Sequence, residues 1–367
     1  MIVTELIVAT LLEVLFVGGF MLLYPRIARR GLLFGVYVGE SASESPQARA
    51  IRRGWDLGVL ACVLAGLATA YLVYSLGPPP AFAATPLFVL LLGGVVVYLW
   101  AYHHARGLTQ PGPPPLAVAP LTPSAPTSSW LAVVTLTVGL VGGIVALAYT
   151  WRHYHALPAL VPVHFGFSGA PDGWKPKTFA SVMLLPLMTL VMGVGLGGLI
   201  YLVAHAKRGL RYPDEGRSLA AQLRFRGAVT VLLGGAALLV TVLLTFLSVF
   251  SVRIGLGLAS KQPPVVPIAG GLLLAWALVG TLLIAVRFGQ GGARLEQPTG
   301  APLTNGLADN RHWILGVFYV NRDDPSLLVE RRFGLGYTIN FGNPRAVAFL
   351  VLFFGAVLGL AIAALLS

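Results

Sequence analysis

The sequence predicts an all-α fold: a polytopic membrane helix bundle of about eight transmembrane helices, with a small cytoplasmic insertion carrying a β-hairpin. Three observations predict it. Hydrophobic residues make up 56% of the 367 and charged residues only 10%, for a mean hydropathy of +0.81. Soluble domains carry about 25% charged residues. Eight apolar stretches reach the roughly 20 residues that a bilayer-crossing helix needs. Of the 25 Lys and Arg, 20 fall in alternate loops between those stretches.

The stretches cover 2–24, 55–76, 86–102, 130–149, 179–203, 228–250, 265–288 and 346–366. The first lacks the positive n-region and small-residue cleavage site of a signal peptide, so it reads as a retained helix. Loops 25–54, 103–129 and 204–227 and the segment from Arg287 to Arg345 carry the 20 basic residues. The opposite side carries Arg152, Lys175, Lys177, Arg253 and Lys261. The positive-inside rule then places the rich side in the cytoplasm and both termini outside. This accounts for the net charge of +12 and pI near 10.2 without a nucleic-acid partner. The one cysteine, Cys62, leaves no intramolecular disulfide and no cysteine-based metal motif.

Residues 1–106 form a three-helix membrane unit. Residues 107–129, with seven prolines, form an extended cytoplasmic linker. Residues 130–288 form a four-helix unit that carries an outer loop at 150–178. Residues 289–345 are the cytoplasmic insertion, and 346–367 the last helix. The ends of spans three and five, YLWAYHHARGL and YLVAHAKRGLR, share a short match that membrane-interface composition alone also produces.

The outer loop reads ALPALVPVHFGFSGAPDGWKPKTF over 156–179. Pro158 and Pro162 deny it helix, and Gly166, Gly169 and Gly173 permit sharp turns. His164 and Asp172 are within reach of a shared hydrogen bond, Trp174 suits the membrane interface, and Lys175 and Lys177 suit an anionic headgroup or carboxylate. With Phe165 these form the candidate ligand site. The alternative is structural: Asp172 capping a turn, Trp174 anchoring, the lysines solvated. The series Leu-Pro, Pro-Val-His-Phe, Gly-Ala-Pro-Asp-Gly-Trp, Lys resembles the signature loop of the SdpI-type bacterial membrane protein family. That family is named for an immunity protein against a secreted, membrane-acting toxic peptide. The resemblance implies a bacterial cytoplasmic membrane and a peptide or lipid-like ligand outside. This chain has additional spans and an inner segment beyond the family's namesake.

The inner segment NRHWILGVFYVNRDDPSLLVERRFGLGYTINFGNP, 310–344, resembles an uncharacterised domain that accompanies this loop in bacterial membrane proteins. The matching positions are Trp313, Gly316, Tyr319, Asn321, Asp323, Asp324, Pro325, Arg332, Phe333, Gly334, Gly336 and Asn340. Two β-prone runs around Gly334 and Gly336 predict a hairpin, and the aromatic residues predict an ordered unit under the membrane. Trp313, Tyr319, Asn321, Asp323, Asp324, Arg331, Arg332 and Asn340 are candidates for contact with a cytoplasmic protein or with lipid. Asn321, Asp323 and Asp324 before Pro325 also fit an Asx turn, and Arg331 and Arg332 fit a positive-inside anchor.

Glu13 sits midway along the first span, where an acid is costly and defaults to a functional reading. His153, His155 and His164 with Asp172 are a secondary metal set, but their spacing matches no standard zinc motif, and no metal or other cofactor is expected. No P-loop, Gly-x-Ser-x-Gly or His-Glu-x-x-His pattern appears. The leading expectation is a non-enzymatic envelope protein that binds an amphipathic ligand outside and couples to a cytoplasmic partner. The alternatives are a transporter or lipid-handling protein using Glu13, and a metal-dependent membrane enzyme.

Overall fold

The computed structural model describes residues 2–76, 84–109, 129–166, 168–206, 215–295 and 310–366. Among them, eight helices are long and apolar enough to cross a membrane. These are α1 (Ile2–Ile27), α3 (Pro46–Ser75), α4 (Thr85–Arg106), α5 (Ser129–His153), α6 (Phe179–Ala204), α7 (Glu215–Gly255), α8 (Val265–Phe288) and α9 (Pro344–Leu366). A short α2 (Glu40–Ser43) precedes α3. Among the described residues the strands form four two-stranded antiparallel hairpins: β1 (Leu32–Leu33) with β2 (Val36–Tyr37), β3 (Leu160–Phe165) with β4 (Pro171–Pro176), β5 (Trp313–Ile314) with β6 (Phe318–Tyr319), and β7 (Leu328–Glu330) with β8 (Tyr337–Ile339), the last two joined by a bridge between Tyr319 and Asn340. Residues 110–128 of the proline-rich linker lie outside the described residues.

Several helices run past their apolar stretches. α3 starts at Pro46 because the Ser45 hydroxyl accepts from the Ala48 amide at 3.1 Å and Pro46 fills the first helical position. α7 starts at Glu215 and carries Arg226 on its buried side. That guanidinium donates to the carbonyls of Ala204 (3.0 Å) and Ala206 (2.5 Å), capping the negative end of α6. An arginine that charge counting assigns to topology is thus also a packing element.

Glycine sets the helix spacing. Gly139 of α5 and Gly193 of α6 touch backbone to backbone: a Cβ on either would stand 2.5–2.6 Å from the other's Cα. One turn along, Gly143 receives Leu190, and Gly197 receives Leu136. Two small-xxx-small rows therefore face one another, as close membrane crossings require. Gly195 and Gly198 face a different neighbour, taking the rings of Phe353 and Phe349 of α9. α7 packs beside α5 with Thr241 and Thr245 against Gly142, and α8 packs on α7 through Trp276, whose indole donates to the Leu232 carbonyl at 2.8 Å.

The helices form two units, α1/α3/α4 and α5–α9. They meet at the arginine-rich end, where Tyr24 and Ile27 pack on Ala285, with Phe333 and Leu335 of the 289–345 segment against them. The other end is closed by the β3–β4 hairpin, which sits over α5, α6 and α7.

Candidate functional site

β3 and β4 pair from Leu160 opposite Pro176 to Phe165 opposite Pro171, with Val163 bulged out of register. The bulge sets His164 against Gly173 rather than against a side chain. A Cβ at Gly173 would come within 2.8 Å of the His164 Cβ, so only glycine leaves the imidazole room. His164 Nδ1 then meets Asp172 Oδ1 at 2.5 Å. Both side chains stay well exposed, at 73% and 52%. At the tip, Gly169 has φ +79° and its carbonyl accepts from the Gln262 amide at 2.8 Å, tying the hairpin to the loop between α7 and α8.

The hairpin is fixed at its base as well. Thr178 and Ser181 form a reciprocal capping box at the start of α6, and the Ser181 hydroxyl donates back to the Pro176 carbonyl at 2.8 Å. Lys177 donates to the carbonyls of Leu157 (2.9 Å) and His155 (3.4 Å) and stands over the Tyr154 ring. Below, Leu157, Val161, Val182 and Val252 make a small buried core.

Beside that core is a cavity of about 260 Å³. Its walls are Leu157, Val161–Val163 of β3, Ser181, Val182 and Leu184–Pro186 of α6, and Ser248, Ser251 and Val252 of α7, with Lys175 of β4 as its one charged wall. Pro186 lies inside α6 and has no amide hydrogen, so the carbonyl of Val182 on the same wall receives no helical bond from it. The cavity is thus mostly apolar, with a lysine and serine hydroxyls on its polar parts, a composition suited to an amphiphile.

The remaining candidates of the 150–178 loop divide. Trp174 is half exposed opposite Pro162, and Phe165 is partly buried at the tip. His153 turns back along α5, its Nδ1 on the Tyr149 carbonyl at 2.8 Å and its ring on Tyr149. His155 is exposed against Tyr154. Among the described residues no three His, Cys, Asp or Glu side chains gather, so His153, His155 and His164 are not brought together. Glu13 lies on the outward face of α1 beside exposed Leu12, rather than between helices.

At the arginine-rich end the sequence candidates are mostly interior. Trp313, Tyr319, Asp324, Arg332 and Asn340 are all buried, at 8% exposure or less. Asn340 is the hub: its carbonyl oxygen accepts from the Asn321 and Gly342 amides, and its amide donates to the carbonyls of Asn321, Asp324 and Ser326. The Asx turns form, with Asn321 accepting from the Asp323 amide and Asp324 from the Ser326 amide, both at 3.0 Å. Arg332 lies over the Trp313 ring and donates to Asn310 at 2.5 Å. These side chains build the insertion. Of the contact candidates, Asp323 and Arg331 are exposed, and Arg331 donates from Nε to the Tyr337 carbonyl at 2.8 Å.

Sequence reading missed the partner of this insertion. The β1–β2 hairpin belongs to it: Asn310 both donates to and accepts from the Tyr37 backbone at 3.0 Å, and Arg29 pairs with Glu330. Gln290 accepts from the Arg29 amide and donates to the Arg331 carbonyl. Phe333 projects into the first helix unit, its ring centroid 3.9 Å from Tyr24 and 4.3 Å from Tyr98. Leu328, Tyr337 and Ile339 pack instead on α6, α7 and α8. A usable signal was present: the hairpins share similar turns, Leu-Phe-Gly-Val at 33–36 and Ile-Leu-Gly-Val at 314–317.

Two comparisons bear on these two regions. Residues 141–190, from within α5 across the hairpin to within α6, match a domain of unknown function (DUF1648). Residues 322–347, covering β7, β8 and the start of α9, match a family of unknown function (DUF5808). Comparison with curated proteins and with solved structures gives no match. The chain is therefore a multi-pass membrane protein by its helices, with domains of unknown function at both of its hairpin regions.

Proposed function

We propose that this chain is a non-enzymatic bacterial envelope protein, SdpI-like in its outer loop, that binds an amphipathic anionic ligand beneath the β3–β4 hairpin. In this reading the arginine-rich end is cytoplasmic and couples to a partner there. The supporting observation is the cavity between hairpin, α6 and α7, with Lys175 on its wall. The ligand's apolar part would fill the cavity, and its carboxylate or phosphate would meet Lys175 in a charge-assisted hydrogen bond. The charges at that end favour an anion: Arg152, Arg253 and Lys261 join the two hairpin lysines, and Asp172 is already engaged by His164. The outward placement of Glu13 lends the transport reading no support.

The test uses purified protein in phospholipid nanodiscs with two probes, a dansyl-labelled single-chain fatty acid and an acidic amphipathic peptide. Saturable binding of either is expected. Ser251→Trp, which fills the cavity from α7, should abolish it, and Lys175→Gln should weaken it about tenfold, the worth of one charge-assisted bond. Binding indifferent to both substitutions, or saturable flux in proteoliposomes, would overturn the reading.

A further inference from the structure

Among the described residues, Phe34 and Leu315 are the non-glycine residues held at positive φ, 47° and 51°. Such conformations persist only where the surroundings hold them. Each precedes a glycine at a hairpin turn, and the two turns meet tip to tip: a Cβ on Gly35 would stand 2.6 Å from the Gly316 carbonyl oxygen. The Tyr98 hydroxyl of α4 reaches both tip carbonyls, Leu315 at 2.7 Å and Phe34 at 3.3 Å. Tyr98 lies two turns inside the end of α4 at Arg106, so the tips rise to the level of the helix ends.

The two hairpins differ in one respect. The first is enclosed, with Leu32, Leu33, Phe34 and Val36 all at 4% exposure or less. The second is bare on one side: Ile314 is 55% exposed, Leu315 41% and Phe318 46%, and Phe341, stacked edge-on against Phe318, is 37% exposed. Phe341 stands three residues before α9, a membrane-length helix that also exposes Val351, Leu352 and Phe354. Polarity then changes along the hairpin. Its tip is apolar, while exposed arginines stand at its base: Arg311 before β5, Arg322 after β6 and Arg345 at the start of α9. Apolar tip and cationic base match the acyl and phosphate layers of one leaflet.

We propose that the β5–β6 hairpin is a lipid-seated wedge, with Ile314, Leu315, Phe318 and Phe341 immersed at the acyl–headgroup boundary of the leaflet on the arginine-rich side. Backbone outside a helix is tolerated at such depth only where its polar groups are met within the protein. The Tyr98 hydroxyl on the tip carbonyls provides that. The membrane thereby holds the insertion against the bundle from its open side. This inference stands independently of the ligand reading at the other end.

The test places spin labels at exposed positions, where packing is undisturbed. In a Cys62→Ser background, single variants Ile314→Cys, Phe318→Cys, Asp323→Cys and Leu358→Cys are labelled and reconstituted in phosphatidylethanolamine–phosphatidylglycerol vesicles. Asp323 is the aqueous reference and Leu358, exposed in α9, the lipid reference. Labels at 314 and 318 should relax with oxygen and be shielded from a water-soluble nickel chelate, as at 358. Nickel accessibility at 314 and 318 equal to that at 323 would overturn the proposal. On the same vesicles, made permeable to an aqueous spin-broadening reagent, signals at 314 and 318 should persist while that at 323 is lost.

Discussion

At one end of the bundle a single hairpin, β3–β4, closes over α5, α6 and α7 from one continuous run of chain. At the other end, hairpins from 32–37 and 313–339 lock together across most of the sequence. The first presents its polar pair to solvent, with His164 and Asp172 at 73% and 52% exposure. The second buries its polar groups, with Arg332 at 1% and Asn340 at 0%. Exposed ion pairs contribute little to stability, whereas a buried, networked charge cannot lose a partner without a large penalty. The β3–β4 hairpin thus leaves its ion pair accessible to solvent, while the assembly at the arginine-rich end joins distant segments of the chain.

The sharpest way to break this contrast is at Arg29, whose side chain and that of Glu330 are 12% and 11% exposed. Arg29→Ala removes the arginine from a largely buried ion pair and should destabilise the protein by about 3 kcal/mol or more, read by chemical unfolding in detergent. Next is Phe333, the residue that enters the first helix unit. Phe333→Ala should cost about 3 kcal/mol, and it has a second readout. With a protease site placed within 110–128, the cleaved wild-type halves should stay associated, because the insertion joins them; the cleaved variant should separate on gel filtration. Halves that separate without the substitution would show that the linker, not the insertion, holds the units together.

Asn340→Ala removes several bonds at once and should cost about 1–3 kcal/mol, detected as a lowered unfolding temperature with the β3–β4 end unaffected. The smallest expected effect is at the exposed His164–Asp172 pair. His164→Ala and Asp172→Asn should each change stability by less than about 1 kcal/mol, read by chemical unfolding in detergent. A loss in these two variants as large as that of Arg29→Ala would make the β3–β4 hairpin scaffolding like the assembly at the arginine-rich end and erase the contrast.

Legibility in the sequence follows the same division. The 150–178 loop is legible locally: Pro158 and Pro162 exclude helix, the glycines mark the turns, and His164 and Asp172 lie close enough along the chain to meet across one hairpin. The β7–β8 hairpin was legible for the same reason, from Gly334 and Gly336 at φ 97° and 88°. The cavity was not legible, because its walls come from three elements. Residue type alone does not say which face of a short strand is covered: Trp313 and Tyr319 point inward while Ile314 and Phe318 point out.

The sequence by itself determined the number of membrane-length helices and the clustering of arginines at alternate loops, because hydropathy and charge are sums over local residues. It also determined where turns fall, since glycine and proline act on their own backbone. Only the tertiary structure decided which arginines are buried, as with Arg226 on the end of α6 and Arg332 over Trp313. It alone joined Arg29 to Glu330 and Gly35 to Gly316. Those contacts link segments about 300 residues apart, and they form only when packed helices bring both ends of the chain to the same side of the bundle, a geometry that no local pattern encodes.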